Sequence, residues 1–324
     1  MNKRLTAGLF WVMGAAYVGV LIWADRGSDA AEALRQASLA LPVLGAMSFA
    51  ALGVRYLRWH WLLVHAGHRC KAGYGFLAYL SGFAYTLTPG KVGELVRLRY
   101  LGPMGVPPHV VISAFFYERA LDLLVVLSLA SLAVHDSKAL GPAIAFVAIV
   151  LLLLLACMRH PRPLVALQTR WERAGWHRLA GWLSALREGL THTACWMTWR
   201  HLLVSFGLGL VAWGLTSAAF VFLLQYLEIV LPWPAALSMY PLSMLAGAAS
   251  MLPGGIGSTE VALVALLMQR GVSLQLAAVA AVTIRLATLW LATIFGFAAM
   301  LVFGWLEARA APTAPRPTAG PRGS

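Results

Sequence analysis

Charge is what this chain has least of. Only 11% of its 324 residues are Asp, Glu, Lys or Arg, against roughly 25% in a soluble globular protein, and acidic side chains number just 12. With 60% hydrophobic residues and a mean hydropathy of +0.75, that scarcity excludes a soluble enzyme and a disordered chain. Cysteine is scarce too. Cys70, Cys157 and Cys195 are scattered, odd in number and unlike any metal-ligand spacing, so a disulfide scaffold is excluded and free thiols are expected. No Gly-x-Ser-x-Gly elbow, Walker loop or His-Glu-x-x-His pair occurs. Short alternating segments, the mark of a membrane β-barrel, are missing as well.

What the chain does have is continuous apolar runs near 20 residues, the length a helix needs to cross a hydrocarbon core of about 30 Å. The expected fold is all-α and polytopic. Full spans are read at 5–24, 38–57 (with room to continue to 66), 109–134, 139–158, 201–226 and 274–305. Two short pieces, 74–88 and 92–104, flank Pro89-Gly90, and a second broken segment covers 233–269. This makes about six spans plus two hairpins in one membrane domain, 1–307, followed by a Pro/Ala/Arg/Gly-rich tail, 308–324, expected to be disordered.

The net charge of +13 and pI near 10.3 follow from loops rather than from nucleic acid binding, because cytoplasmic loops of membrane proteins collect Lys and Arg. Arg55, Arg58, Arg69 and Lys71 mark one such turn, and 159–200 carries seven Arg against two Glu, with apolar residues at helical spacing. That stretch reads as an amphipathic helix on the inner leaflet. The polar stretch 25–36 suits the outer face. Of 25 Lys and Arg, 18 fall inside, four outside and three within the membrane, which puts both chain ends in the cytoplasm. Arg outnumbers Lys 21 to 4 and Ala is abundant, a composition that suits a bacterial source.

Two Pro-Gly breaks resemble each other. Thr-Pro-Gly-Lys-Val-Gly-Glu occupies 88–94 and Leu-Pro-Gly-Gly-Ile-Gly-Ser-Thr-Glu occupies 252–260. Pro89, Gly90 and Gly93 match Pro253, Gly254 and Gly257 at an offset of 164; after a two-residue insertion Glu94 matches Glu260, and Arg119 matches Arg285, at 166. The expectation is a repeat, about 5–134 and 139–305. A hairpin that enters and leaves on one side gives each half an odd number of crossings, so the second copy is inverted. Inverted repeats with broken helices near the midplane characterise secondary transporters, and non-helical backbone at that depth must be buried in protein or line a cavity.

The residues at the breaks carry readable chemistry. Proline ends the first half-helix and glycine permits unusual dihedrals, so the second half-helix would aim free N–H groups at a cavity and make an anion site. Lys91 sits at that end of the first hairpin; Ser258 or Thr259 would cap the second. Glu94 and Glu260 have capping or transport roles open to them. On the third full span Glu118 and Asp122 are four residues apart and share a face with Arg119 close by, while Arg285 stands alone in the sixth. The seven charges Lys91, Glu94, Glu118, Arg119, Asp122, Glu260 and Arg285 sum to −1, so internal pairing is feasible; unpaired they would cost on the order of 20 kcal/mol. Two arginines converging on one axis would suit a phosphate. The loose His60, His65, His68 and Cys70 set reads as a membrane-edge stretch rather than a metal site, and no cofactor is expected.

Together the stretch 88–97, Thr-Pro-Gly-Lys-Val-Gly-Glu-Leu-Val-Arg, and the stretch 252–260 followed by Arg285 resemble the lysylphosphatidylglycerol synthase transmembrane, or flippase-like, family, over roughly 5–305. The resemblance implies an integral inner-membrane protein that moves a lipid, an aminoacylated phosphatidylglycerol or another anionic or isoprenoid lipid, between leaflets. Carried over by motif, the implied site is Pro89, Gly90, Gly93, Glu94, Arg97, Arg119, Pro253, Gly254, Gly255, Gly257, Glu260 and Arg285. The synthases also carry a cytoplasmic aminoacyl-transfer domain, for which this chain has no room, so lysine transfer is not expected. The leading reading is a non-enzymatic lipid transporter, passive or ion-coupled, with membrane lipid as substrate. The alternatives are a membrane enzyme acting on lipid phosphates and an accessory partner of envelope-lipid biosynthesis enzymes.

Overall fold

The computed structural model describes residues 28–132, 162–176, 195–250 and 252–310, and isolated positions at 145, 149, 179–181 and 183–184. The expected spans 5–24 and 139–158 and the tail beyond 310 lie outside the described residues. Among those described, every regular element is helical.

Helix α1 runs Ser28–His65, 38 residues with Pro42 inside it. At 1.5 Å per residue it is about 57 Å long, far more than a hydrocarbon core of about 30 Å. It starts ten residues before the expected 38, within the stretch read as an outer loop. The reason is local: Glu32 and Arg35 form an exposed i,i+3 ion pair at 2.7 Å, so polar residues extend the helix instead of ending it.

The first broken segment comes next. Helix α2, Ala72–Ser81, passes into a 3₁₀ turn, Gly82–Tyr85; a second 3₁₀ stretch, Pro89–Val96, then leads to α3, Arg97–Leu101. Helix α4 is Pro108–Ala130, opened by its proline at the first position. Helix α5, Arg162–Arg173, falls in the stretch read as amphipathic, and α6 is Trp199–Tyr226. The second broken segment is α7, Trp233–Ala249, a short 3₁₀ turn, Pro253–Gly255, and α8, Ser258–Met268. The last long helix is α9, Leu274–Arg285, a π-helical turn, Leu286–Trp290, and α10, Leu291–Ala310.

Among the described residues three stretches are long and apolar enough to cross a membrane: Glu32–His65, Trp199–Tyr226 and Leu274–Glu307. Helix α4 is not among them, against the expected span at 109–134; it concentrates Glu118, Arg119 and Asp122 in barely more than one turn. The outward faces of the long helices are apolar. Leu39, Val43, Leu203, Val211 and Leu301 are all exposed, a surface that suits acyl chains rather than water.

Packing crosses between the two broken segments. Helix α1 lies along α6, α4 packs on α7, and α10 packs on α2 and its 3₁₀ extension. The last contact is backbone against backbone: a methyl group at Gly296 would lie 2.2 Å from the Ala84 nitrogen. The two Pro-Gly turns also pack on one another, with Leu87 pressed against Gly254.

Candidate functional site

Each turn is built by its own short-range chemistry. In the first, Thr88 Oγ1 donates to the Tyr85 carbonyl at 2.9 Å and accepts from the Gly93 amide at 2.7 Å. Gly93 is obligatory there, since a β-carbon would sit 2.6 Å from the Tyr85 carbonyl oxygen. Lys91 is held at φ 57, a left-handed conformation uncommon outside glycine. Past this break the chain continues as 3₁₀ helix rather than as the expected half-helix, and one of its amides is already satisfied by Thr88.

In the second turn Gly254, Gly255 and Gly257 all take positive φ. Neither Ser258 nor Thr259 caps α8. Glu260 does, accepting from the Gly257 amide at 2.7 Å through Oε2, while its Oε1 accepts from Arg285 Nε at 2.8 Å. Arg285 Nη2 donates to the Gly254 carbonyl at 2.7 Å. A fork-shaped guanidinium thus ties the turn and the start of α8 to α9, and the side chain is 2% exposed.

Arg119 and Arg285, aligned by the sequence repeat, do different work. Arg119 pairs with Asp122 at 3.1 Å on its own helix, and Glu94 is held instead by Arg97 at 3.0 Å. Arg97 also donates to the Tyr79 carbonyl, lies 4.1 Å above the Tyr79 ring and approaches Glu118 at 3.6 Å. The two repeat arginines border separate cavities rather than one.

Sequence reasoning missed the hub of this network. Arg58, expected in a cytoplasmic turn, has a side chain that is 0% exposed, 2.7 Å from Asp122 and 3.5 Å from Glu118. Arg55, expected beside it in that turn, is instead 12% exposed, 3.9 Å from Asp122 and stacked 4.5 Å over Trp213. With Arg97 they change the charge balance. Six basic groups (Arg55, Arg58, Lys91, Arg97, Arg119, Arg285) face four carboxylates (Glu94, Glu118, Asp122, Glu260), so the sum moves from −1 to an excess of two positive charges.

Among the described residues two cavities adjoin the turns. The larger, of about 250 Å³, is bordered by Thr88, Lys91, Arg119, Asp122, Trp213, Gly254, Gly255 and Thr259. The smaller, of about 80 Å³, is bordered by Arg55, Lys91, Trp213, Tyr240, Gly254 and Arg285. Lys91, Trp213, Met244 and Gly254 line both. The other expected residues are structural neighbours: Gly93 shapes the first turn, Gly257 begins α8, Pro89 and Pro253 open the two 3₁₀ stretches that Gly90 and Gly254 continue, and Arg97, Glu94 and Glu118 lie behind the cavity wall.

Among the described residues no three His, Cys, Asp or Glu side chains come together to hold a metal ion. His65 instead packs against the rings of Trp61 and His201, which also touch each other.

Long apolar helices around a buried, paired charge network define a helical membrane protein. The chain belongs to the family of the lysylphosphatidylglycerol synthase transmembrane region, whose family model matches residues 9–296. No curated protein matches it significantly.

Proposed function

We propose that the protein moves the polar headgroup of an anionic or isoprenoid-linked lipid between the leaflets of a bacterial inner membrane, without converting it chemically. The headgroup passes the cavities at the two Pro-Gly turns while the acyl chains stay in the bilayer. Both turns are tips of re-entrant hairpins in two inverted repeats, and both chain ends are cytoplasmic. Transport is passive or ion-coupled.

One observation carries this reading: a buried network with two surplus positive charges borders cavities where both turns meet. Uncompensated charge is costly inside a membrane and marks pathways there. The reciprocal packing of α4 on α7 and α10 on α2 supports the repeat, because a two-fold relation between halves exchanges those two contacts. Family membership supports the lipid.

The test is reconstitution in vesicles with headgroup-labelled phosphatidylglycerol, reading leaflet exchange. Wild type is expected to exchange the label, with Arg285→Ala slower by about tenfold or more, as the loss of charge-assisted hydrogen bonds implies. Absence of exchange in wild type overturns the proposal, and a chemically altered lipid replaces it with an enzyme.

A further inference from the structure

Among the described groups at the larger cavity without a hydrogen bond, donors outnumber the one acceptor, Asp122 Oδ2. The Lys91 side chain makes no hydrogen bond or ion pair with any described residue, although its backbone is held in a left-handed conformation that points to constraint. Thr259, 0% exposed at the first turn of the eleven-residue α8, has a hydroxyl without a partner. Trp213, 6% exposed, has a free indole N–H, and Arg119 has a free Nε. All four border this one cavity.

Each of these groups donates. The carboxylate at the cavity wall, Asp122, is engaged by Arg58 at 2.7 Å through Oδ1, and its Oδ2, which accepts no hydrogen bond, is ion-paired with Arg119 at 3.1 Å. Buried donors without acceptors cost about 1–3 kcal/mol each, so the ligand that fits is rich in acceptors, negatively charged and small. A volume of about 250 Å³ lies just under the range of about 300–1,000 Å³ for sites that enclose a drug-sized ligand. It is large enough for a phosphate-bearing headgroup.

We propose that this cavity is an oxyanion site for a phosphate ester, with Lys91 as its charge and Thr259, Trp213 Nε1 and Arg119 Nε as its further donors. The inference deepens the lipid reading and rests on it only for the source of the phosphate. Arg285, by contrast, is spent on Glu260 and the Gly254 carbonyl and serves as the clamp of the second turn.

The full chain in an uncharged maltoside detergent is titrated calorimetrically with inorganic phosphate and with dihexanoyl phosphatidylglycerol. Wild type is expected to bind the lipid, with Lys91→Gln and Thr259→Val each weakening it about tenfold or more and Lys91→Arg retaining most of it. Thr259→Val separates binding from folding. Removing an unsatisfied buried hydroxyl leaves the unliganded melting temperature unchanged or raised, while anion affinity falls. Equal affinity in wild type and both variants, or no binding of either probe, overturns the site. Lys91-dependent binding of inorganic phosphate alone keeps the site and removes the lipid as its source. Leaflet exchange that persists unchanged in both variants keeps the transport reading and removes the site.

Discussion

Replacing Arg58 by Met removes a buried guanidinium while keeping an unbranched chain of similar girth. Its Nη2 lies 2.7 Å from Asp122 Oδ1 and 3.5 Å from Glu118 Oε1. At an effective dielectric of 20 each contact is worth about 5 kcal/mol gross, most of it offset by taking three charges out of water. Breaking such a buried group costs about 3–5 kcal/mol, because the carboxylates stay behind. The lower end applies here: Asp122 keeps Arg119 at 3.1 Å and Arg55 at 3.9 Å, and Glu118 keeps Arg97 at 3.6 Å. Arg58→Met is therefore expected to lose about 3 kcal/mol, and adding Asp122→Asn should recover part of that loss by neutralising one stranded carboxylate. Thermal and denaturant unfolding in detergent micelles measure both. A single variant as stable as wild type, or a double variant showing the full sum of two separate losses, refutes the reasoning.

Contact geometry sets the outcome of further perturbations. Gly296→Ala places a methyl group 2.2 Å from the Ala84 nitrogen and 2.7 Å from the Phe83 carbonyl carbon, so backbones must separate at a cost of about 1–3 kcal/mol. Gly304→Ala, with nothing within 4 Å, is expected to gain up to about 1 kcal/mol from helix propensity, and melting temperatures that move the same way in both would contradict the packing. Arg285→Lys keeps the charge but cannot serve both Glu260 and the Gly254 carbonyl with one ammonium. Amide exchange across 254–260 should then accelerate about tenfold or more, as for the loss of one charged hydrogen bond, while an unchanged profile would dismiss the clamp.

Apolar periodicity and proline position made most of the helix order legible. The second broken segment, expected over 233–269, is α7, a turn and α8, and the next helix begins at Leu274 as expected. The π-helical turn inside that last helix left no sequence signal, since its residues are ordinary helix formers. Arg55 and Arg58 escape a sequence reading for a physical reason: a loop cation and a buried paired cation look alike until the partner is known, and their partner Asp122 lies more than sixty residues away. A cue was present. Both stand inside a helix read as able to continue to 66, where a cation needs a carboxylate on a neighbouring helix. Trp213 offered a similar cue, standing mid-helix while many other tryptophans sit at helix ends, where an indole N–H meets water.

The bare glycine of α10 has a mechanical consequence. With main chains riveted there, α10 and the 82–85 segment cannot slide independently; displacing one hauls the other. Slack must be found elsewhere along that rod, and the looser winding at 286–290, between the clamp of Arg285 and the rivet, is where it lies. A bend between α9 and α10 is therefore expected within that single turn of helix.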